Sequence, residues 1–124
     1  MPDEAQPLHI PSTPHNLDWL PACKWSSSEV SCETSFTVPA DFPFFAGHFE
    51  GNPLVPAYVQ ATWMLAAARR LQPSTTATFR QVKWLQPIRP GANLLLRATR
   101  TEASVEASVS SEGATVARAT IILS

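Results

Sequence analysis

The residues best suited to carry out a reaction lie together between Gly47 and Gln60, in the stretch GHFEGNPLVPAYVQ. His48 lies near its start, and Pro53 and Pro56 restrict the chain that follows the histidine. If a helix begins at Pro56, its first backbone N–H groups have no partner within the helix and can polarise a carbonyl group. A neutral imidazole held nearby can then remove a proton from the adjacent carbon. The spacing therefore predicts proton abstraction next to a bound carbonyl.

The other residue types that often do chemistry have simpler interpretations. His9 and His15 lie in a proline-rich segment and match no pattern, so we interpret them as ordinary polar side chains. Cys23 and Cys32 are too few for a disulfide framework or a metal site and indicate two thiols in a reducing compartment. The sequence contains no glycine-rich phosphate loop and no metal-ligand spacing. We therefore expect no cofactor and no metal.

The composition limits the partners of the chain. A length of 124 residues fits one domain, and the net charge of -1 offers no basic face for nucleic acid. Only 15% of the residues are charged, which favours an oligomer that hides apolar surface. The N-terminus is acidic where a signal peptide would be basic, and the longest apolar stretch, residues 63–68, is too short to span a membrane. We expect a cytoplasmic protein with no nucleic-acid or membrane partner.

The candidate site needs surrounding elements to position it. Residues 1–22 contain five prolines and no periodicity, so we expect an irregular lead-in followed by one domain over residues 23–124. Residues 57–72 lack Gly and Pro and repeat apolar residues at helical spacing, which predicts one long helix ended by Pro73. Alternation predicts strands at residues 29–38, 78–85, 93–101, 105–109 and 115–123. In the first strand, one side carries Val30, Cys32, Thr34, Phe36 and Val38. A strand, a helix and four antiparallel strands make an α+β domain in which one sheet wraps one helix.

Two blocks of residues carry a resemblance to a known family. The first block consists of His48, Phe49, Gly51, Pro53, Leu54, Val55 and Pro56. The second runs from Phe79 to Gly91 and ends in the Pro90-Gly91 turn. Together they resemble the (3R)-hydroxyacyl-carrier-protein dehydratases of fatty-acid synthesis. The resemblance implies a hot-dog fold, an antiparallel sheet wrapped around one long central helix, and is nearest to the dehydratase-like proteins of aryl-polyene and related polyketide pathways.

The resemblance implies a role for each residue of the site. His48 would be the catalytic base, and the backbone N–H of Ala57 would bind the thioester carbonyl. Phe49, Tyr58 and Thr62 would contact the substrate. Thr62 stands where the family has a Glu or Asp that supplies a proton to the leaving hydroxyl across a dimer interface.

The replacement of that acid leaves more than one function open. The hydroxyl of Thr62 can orient the leaving group but does not donate a proton as a carboxylic acid does. Glu50 and, less directly, Asp41 are alternative acids. The first hypothesis is a dehydratase of 3-hydroxyacyl thioesters, carried by acyl carrier protein or coenzyme A, that acts as a homodimer or higher hot-dog oligomer. The alternative is a catalytically degenerate subunit that binds acyl chains or pairs with an active dehydratase. A thioesterase is disfavoured because residues 57–72 contain no Asp or Glu.

Overall fold

The computed structural model describes residues 20–21, 23–41 and 53–124. The elements within these residues are β1 (Trp25–Ser27), β2 (Ser31–Thr37), α1 (Ala57–Leu71), β3 (Ala77–Trp84), β4 (Asn93–Arg100), β5 (Val105–Ser111) and β6 (Ala114–Leu123). Most of the expected lead-in, residues 1–22, lies outside the described residues, so the domain limits stay a prediction.

The six strands form one antiparallel sheet in the order β1-β2-β4-β5-β6-β3. The sheet curves around α1, which packs mainly on β4 and β5 and also touches β2 and β6. β3 forms one edge of the sheet, beyond the strands that the helix covers. This arrangement confirms the predicted α+β fold class, a hot-dog domain with one central helix.

The central helix matches its prediction to within one residue. α1 starts after Pro56, whose extended backbone (φ -63°, ψ 152°) suits the position before a helix. It ends at Leu71, where the N–H of Gln72 still donates to the carbonyl oxygen of Ala68 and Pro73 follows. Most of its circumference is buried, since four strands of the sheet pack against it. The buried residues are Val59, Gln60, Ala61, Thr62, Trp63, Met64, Leu65, Ala67 and Ala68.

The first long strand starts later than its pattern suggested. Cys32, Thr34, Phe36 and Val38 share one buried side as the alternation predicts, but Val30 is 52% exposed, so its predicted place on that side is wrong. The cause is a turn in which the Ser28 N–H donates to the Ser31 carbonyl oxygen at 2.8 Å. Val30 lies in this turn and not in β2.

The edge strand before this turn was missed by the sequence analysis. β1 has only three residues and pairs Trp25 with Thr34 and Ser27 with Cys32. Three residues are too few to show alternation. The other strands agree with their predictions to within two residues at each end.

Candidate functional site

The two blocks that carry the family resemblance meet at Val55. Its backbone N–H donates to the carbonyl oxygen of Ile88 at 2.8 Å. Its own carbonyl oxygen accepts from Nε2 of Gln60 at 3.2 Å. Both Val55 and Ile88 are buried, and buried backbone groups need partners. The two bonds therefore fix the segment before Pro56 and, with it, the direction in which α1 begins.

The start of α1 carries no side-chain cap from the residues that the structure describes. Pro56, the residue before the helix, makes no side-chain capping bond, and no acidic residue lies in the first turn. The N–H groups of Val59 and Gln60 donate to the Pro56 carbonyl oxygen at 3.1 and 3.3 Å. The N–H of Ala57 comes earlier in the chain and has no carbonyl within the helix to reach. Ala57 is exposed, so the partial positive charge of this helix end can act on an acceptor from outside the helix.

The end of β2 lies beside the loop between β3 and β4, which contains Ile88. The N–H of Val38 donates to the Ala92 carbonyl oxygen at 2.9 Å, and the N–H of Gly91 donates back to Val38 at 2.8 Å. Gly91 has a φ of 86°, which a residue with a side chain rarely adopts, so glycine suits this turn. The chain therefore leaves β2 and enters α1 at one end of the domain.

Thr62 lies one turn into the helix and is 3% exposed. Its hydroxyl donates to the carbonyl oxygen of Tyr58 at 2.9 Å, so its proton is already used within the helix. The Tyr58 side chain is 39% exposed at the start of α1. The arrangement brings Ala57 and Tyr58 to the surface at the helix start and places Thr62 below them.

Gln60 is a polar residue of this region that the sequence analysis did not select. It is 5% exposed, and its Oε1 atom has no hydrogen-bond partner in the described part of the chain. One sequence signal could have identified it: Gln60 is a polar amide within the predicted helix, and its chain neighbours, Val59 and Ala61, are apolar.

The remaining candidates are placed only in part. His48, Phe49 and Glu50 lie outside the described residues, so their roles stay predictions. Asp41 is exposed at the end of the described segment that follows β2. No group of three or more potential metal ligands occurs in residues 20–21, 23–41 and 53–124. None of the helices in the same residues is long and apolar enough to cross a membrane.

A hot-dog sheet and a helix start that is approached through two prolines and lacks a side-chain cap among the described residues are the arrangement expected of a dehydratase-like protein. Residues 24–119 match the family model ApeI-like, described as ApeI dehydratase. The chain belongs to this ApeI-like dehydratase family. A comparison with curated proteins found no match.

Solved structures share the fold. The dehydratase heterocomplex ApeI:P from Xenorhabdus doucetiae is 22% identical with a TM-score of 0.70, over 77% of this chain and 88% of that one. An uncharacterized protein from Erwinia carotovora subsp. atroseptica is 30% identical with a TM-score of 0.63, over 82% and 89% of the two chains. An isomerase-inactive variant of GphF DH1 is 23% identical with a TM-score of 0.53, over 86% of this chain and 42% of that one.

Proposed function

We propose that the protein dehydrates 3-hydroxyacyl thioesters carried by an acyl carrier protein or coenzyme A, in fatty-acid, polyketide or aryl-polyene-type biosynthesis. The observation that carries the proposal is the start of α1, where Ala57 is exposed and no side-chain capping bond occurs among the described residues. A thioester carbonyl that accepts from the N–H of Ala57 gains charge stabilisation when its α-carbon loses a proton.

The reaction needs a base at the α-carbon and a proton for the leaving hydroxyl. His48 takes the α-proton, the electrons of the C–H bond form the α,β double bond, and the bond from the β-carbon to the hydroxyl breaks. The hydroxyl leaves as water once it gains one proton. Because the hydroxyl hydrogen of Thr62 is donated to Tyr58, the imidazolium of His48 returns the proton, which leaves the histidine neutral again. Glu50 is the second candidate for this proton, and Phe49 and Tyr58 contact the substrate.

The same proposal includes a homodimer or a higher hot-dog oligomer. β3 pairs only with β6 among the described strands, which leaves its outer edge available to a second copy. Sedimentation of the purified protein tests this part, and a monomer at micromolar concentration would contradict it.

The test of the reaction is turnover of a 3-hydroxyacyl thioester on acyl carrier protein. His48→Ala should lower kcat by about 10²- to 10⁴-fold, the contribution of a positioned acid-base residue. His15→Ala is the matched control, a histidine outside both family blocks, and should leave kcat unchanged. Equal activity of the two variants would exclude His48 as the base. No product from the wild type on either carrier would exclude the dehydratase.

A second function is favoured by one observation, the internal hydrogen bond of Thr62. α1 contains no carboxylate, so the proton donor of the family is missing from this helix. We propose as the alternative a subunit that binds acyl chains and pairs with an active dehydratase; a similar solved structure is named as a dehydratase heterocomplex. Dehydratase activity gained by Thr62→Glu but not by Thr62→Gln would support this alternative. The two variants match in size, and only Thr62→Glu supplies a carboxylic acid.

A further inference from the structure

Trp84, the last residue of β3, lies on the inner face of the sheet. It pairs directly with Ala117 of β6, and directly paired residues project to the same face. Ala117 pairs with Val109, and Val109 pairs with Leu96. These three residues are 0% exposed and form part of the core under α1. The indole of Trp84 therefore extends a buried row of side chains towards the sheet edge.

Trp84 differs from the rest of its row in being 43% exposed. α1 packs on β2, β4, β5 and β6, whereas β3 lies beyond β6 at the edge of the sheet. The indole thus projects past the cover that the helix provides. A rigid aromatic surface that faces inward but is open to water suits an apolar occupant.

The exposed indole lies at the end of the domain where α1 starts. Four residues after Trp84, the carbonyl oxygen of Ile88 binds the N–H of Val55, just before the helix. Tyr58 in the first helical turn is 39% exposed, and Leu85 next to Trp84 is 50% exposed. The exposed helix start at Ala57 and a set of exposed apolar side chains therefore share one end of the fold.

We propose that Trp84 is a specificity-determining residue whose indole forms one wall of the groove for the acyl chain. The inference rests on the proposed function, in which the thioester carbonyl binds at Ala57 and the acyl chain extends from it over the adjacent surface. An acyl chain fits this position because it is apolar and narrow and is attached to a group that the helix start holds. Each methylene that reaches the indole should raise kcat/KM by about fourfold, the equivalent of one buried methylene.

The experiment compares kcat/KM for a short-chain and a medium-chain 3-hydroxyacyl thioester. Trp84→Ala should lower the value for the medium chain by about tenfold and that for the short chain by less than about twofold. Trp84→Phe, which keeps an aromatic wall, should restore most of the loss. Val30→Ala is the matched control, since Val30 is also an exposed hydrophobic residue but lies at the opposite end of the domain. There Arg100 donates to the carbonyl oxygens of Val30 and of Leu71, the last residue of α1. An equal loss for both chain lengths, or no loss, would overturn the proposal.

A second measurement separates this inference from the reaction itself. Calorimetry with saturated acyl thioesters of the same two lengths measures binding without elimination. Suppose that the wild type binds the longer chain more tightly, that Trp84→Ala removes this preference, and that neither protein turns over substrate. The proposed groove is then supported and the proposed dehydratase activity is refuted. If the wild type turns over substrate and Trp84→Ala keeps its chain-length preference, the groove fails alone. Dissociation of the protein on Trp84→Ala, seen by sedimentation, would also overturn the proposal, because the indole would then cover a second copy.

Discussion

Gln60→Glu should make the stability of the protein fall as the pH rises. The Gln60 side chain is 5% exposed, and its Nε2 donates to the Val55 carbonyl oxygen at 3.2 Å. A carboxylate at this position has no proton to donate and places negative charge beside that oxygen, whereas a protonated carboxylic acid can donate as the amide does. The folded variant therefore keeps a proton that the unfolded chain releases near pH 4.3, the ordinary pKa of a Glu side chain.

The size of the effect follows from this linkage. The pKa of the new carboxyl group is higher in the folded state than in the unfolded state, so stability is fully present below about pH 4.3 and is lost as the pH rises towards the folded pKa. The loss is about 1.4 kcal/mol per pH unit, which gives about 3.7 kcal/mol at pH 7 if the folded pKa reaches that value. This agrees with the cost of about 3–5 kcal/mol for a buried charge that lacks a partner.

Urea denaturation at several pH values measures this dependence, and two variants serve as controls. Gln86→Glu places the same charge at an exposed site and should leave the profile of the wild type unchanged. Gln60→Met removes the amide without adding charge. The unpartnered Oε1 atom of Gln60 disappears, but the Val55 carbonyl oxygen loses its hydrogen-bond donor. The substitution should therefore cost about 0.5–1.5 kcal/mol at every pH. If Gln60→Glu and Gln86→Glu both kept the pH profile of the wild type, residue 60 would reach water and the description of the helix start would be wrong.

Three further predictions concern the fold. Leu96→Ala should lower the free energy of unfolding in urea by about 2–5 kcal/mol and Leu95→Ala by less than about 1 kcal/mol, because Leu96 is fully buried and Leu95 lies on the outer face. Burial raises the pKa of the Cys32 thiol, an effect that Arg70 partly offsets. Because the folded pKa is the higher one, the protonated thiol contributes stability that is fully present below about pH 8.5 and is lost as the pH rises through the folded pKa. Cys32→Ala should therefore flatten the decline in the free energy of unfolding in urea at alkaline pH. Gly113→Ala should lower the melting temperature through a backbone cost of about 1 kcal/mol, since Gly113 has a φ of 86° and no atom lies within 4 Å of the position that a Cβ would take.

The sequence predicted the elements that repeat a pattern over many residues. α1 was predictable because fifteen residues without Gly or Pro repeat apolar side chains at helical spacing and have proline on both sides. β4 was predictable because Leu94, Leu96 and Ala98 alternate with residues of the outer face. β1 was not, because its three residues are held by pairing with β2, which no local pattern reveals.

The sequence located the segment of the candidate site but not the contacts that hold it. The prolines around Val55 indicated a fixed approach to the helix, yet nothing in the sequence marked Ile88 as the partner of the Val55 N–H. Every residue except proline carries the same backbone N–H and C=O groups, so a long-range bond between two of them leaves no trace in side-chain patterns. Gln60 was missed for a related reason, because an amide within an apolar helix does not reveal whether it binds a ligand or its own backbone.

The position of Trp84 depends on an irregularity that alternation cannot anticipate. Counted from the buried Phe79, strict alternation would place Lys83 on the inner face and Trp84 on the outer face. β3 instead contains a bulge between Arg80 and Lys83, where Gln81 adopts a φ of 53°. The extra residue exchanges the faces of the sheet to which the following side chains project. Lys83 therefore pairs with the exposed Arg118, and Trp84 pairs with the buried Ala117. The bulge therefore turns a charged side chain outward and an aromatic one towards the helix, at the end of the sheet where the acyl chain is proposed to bind.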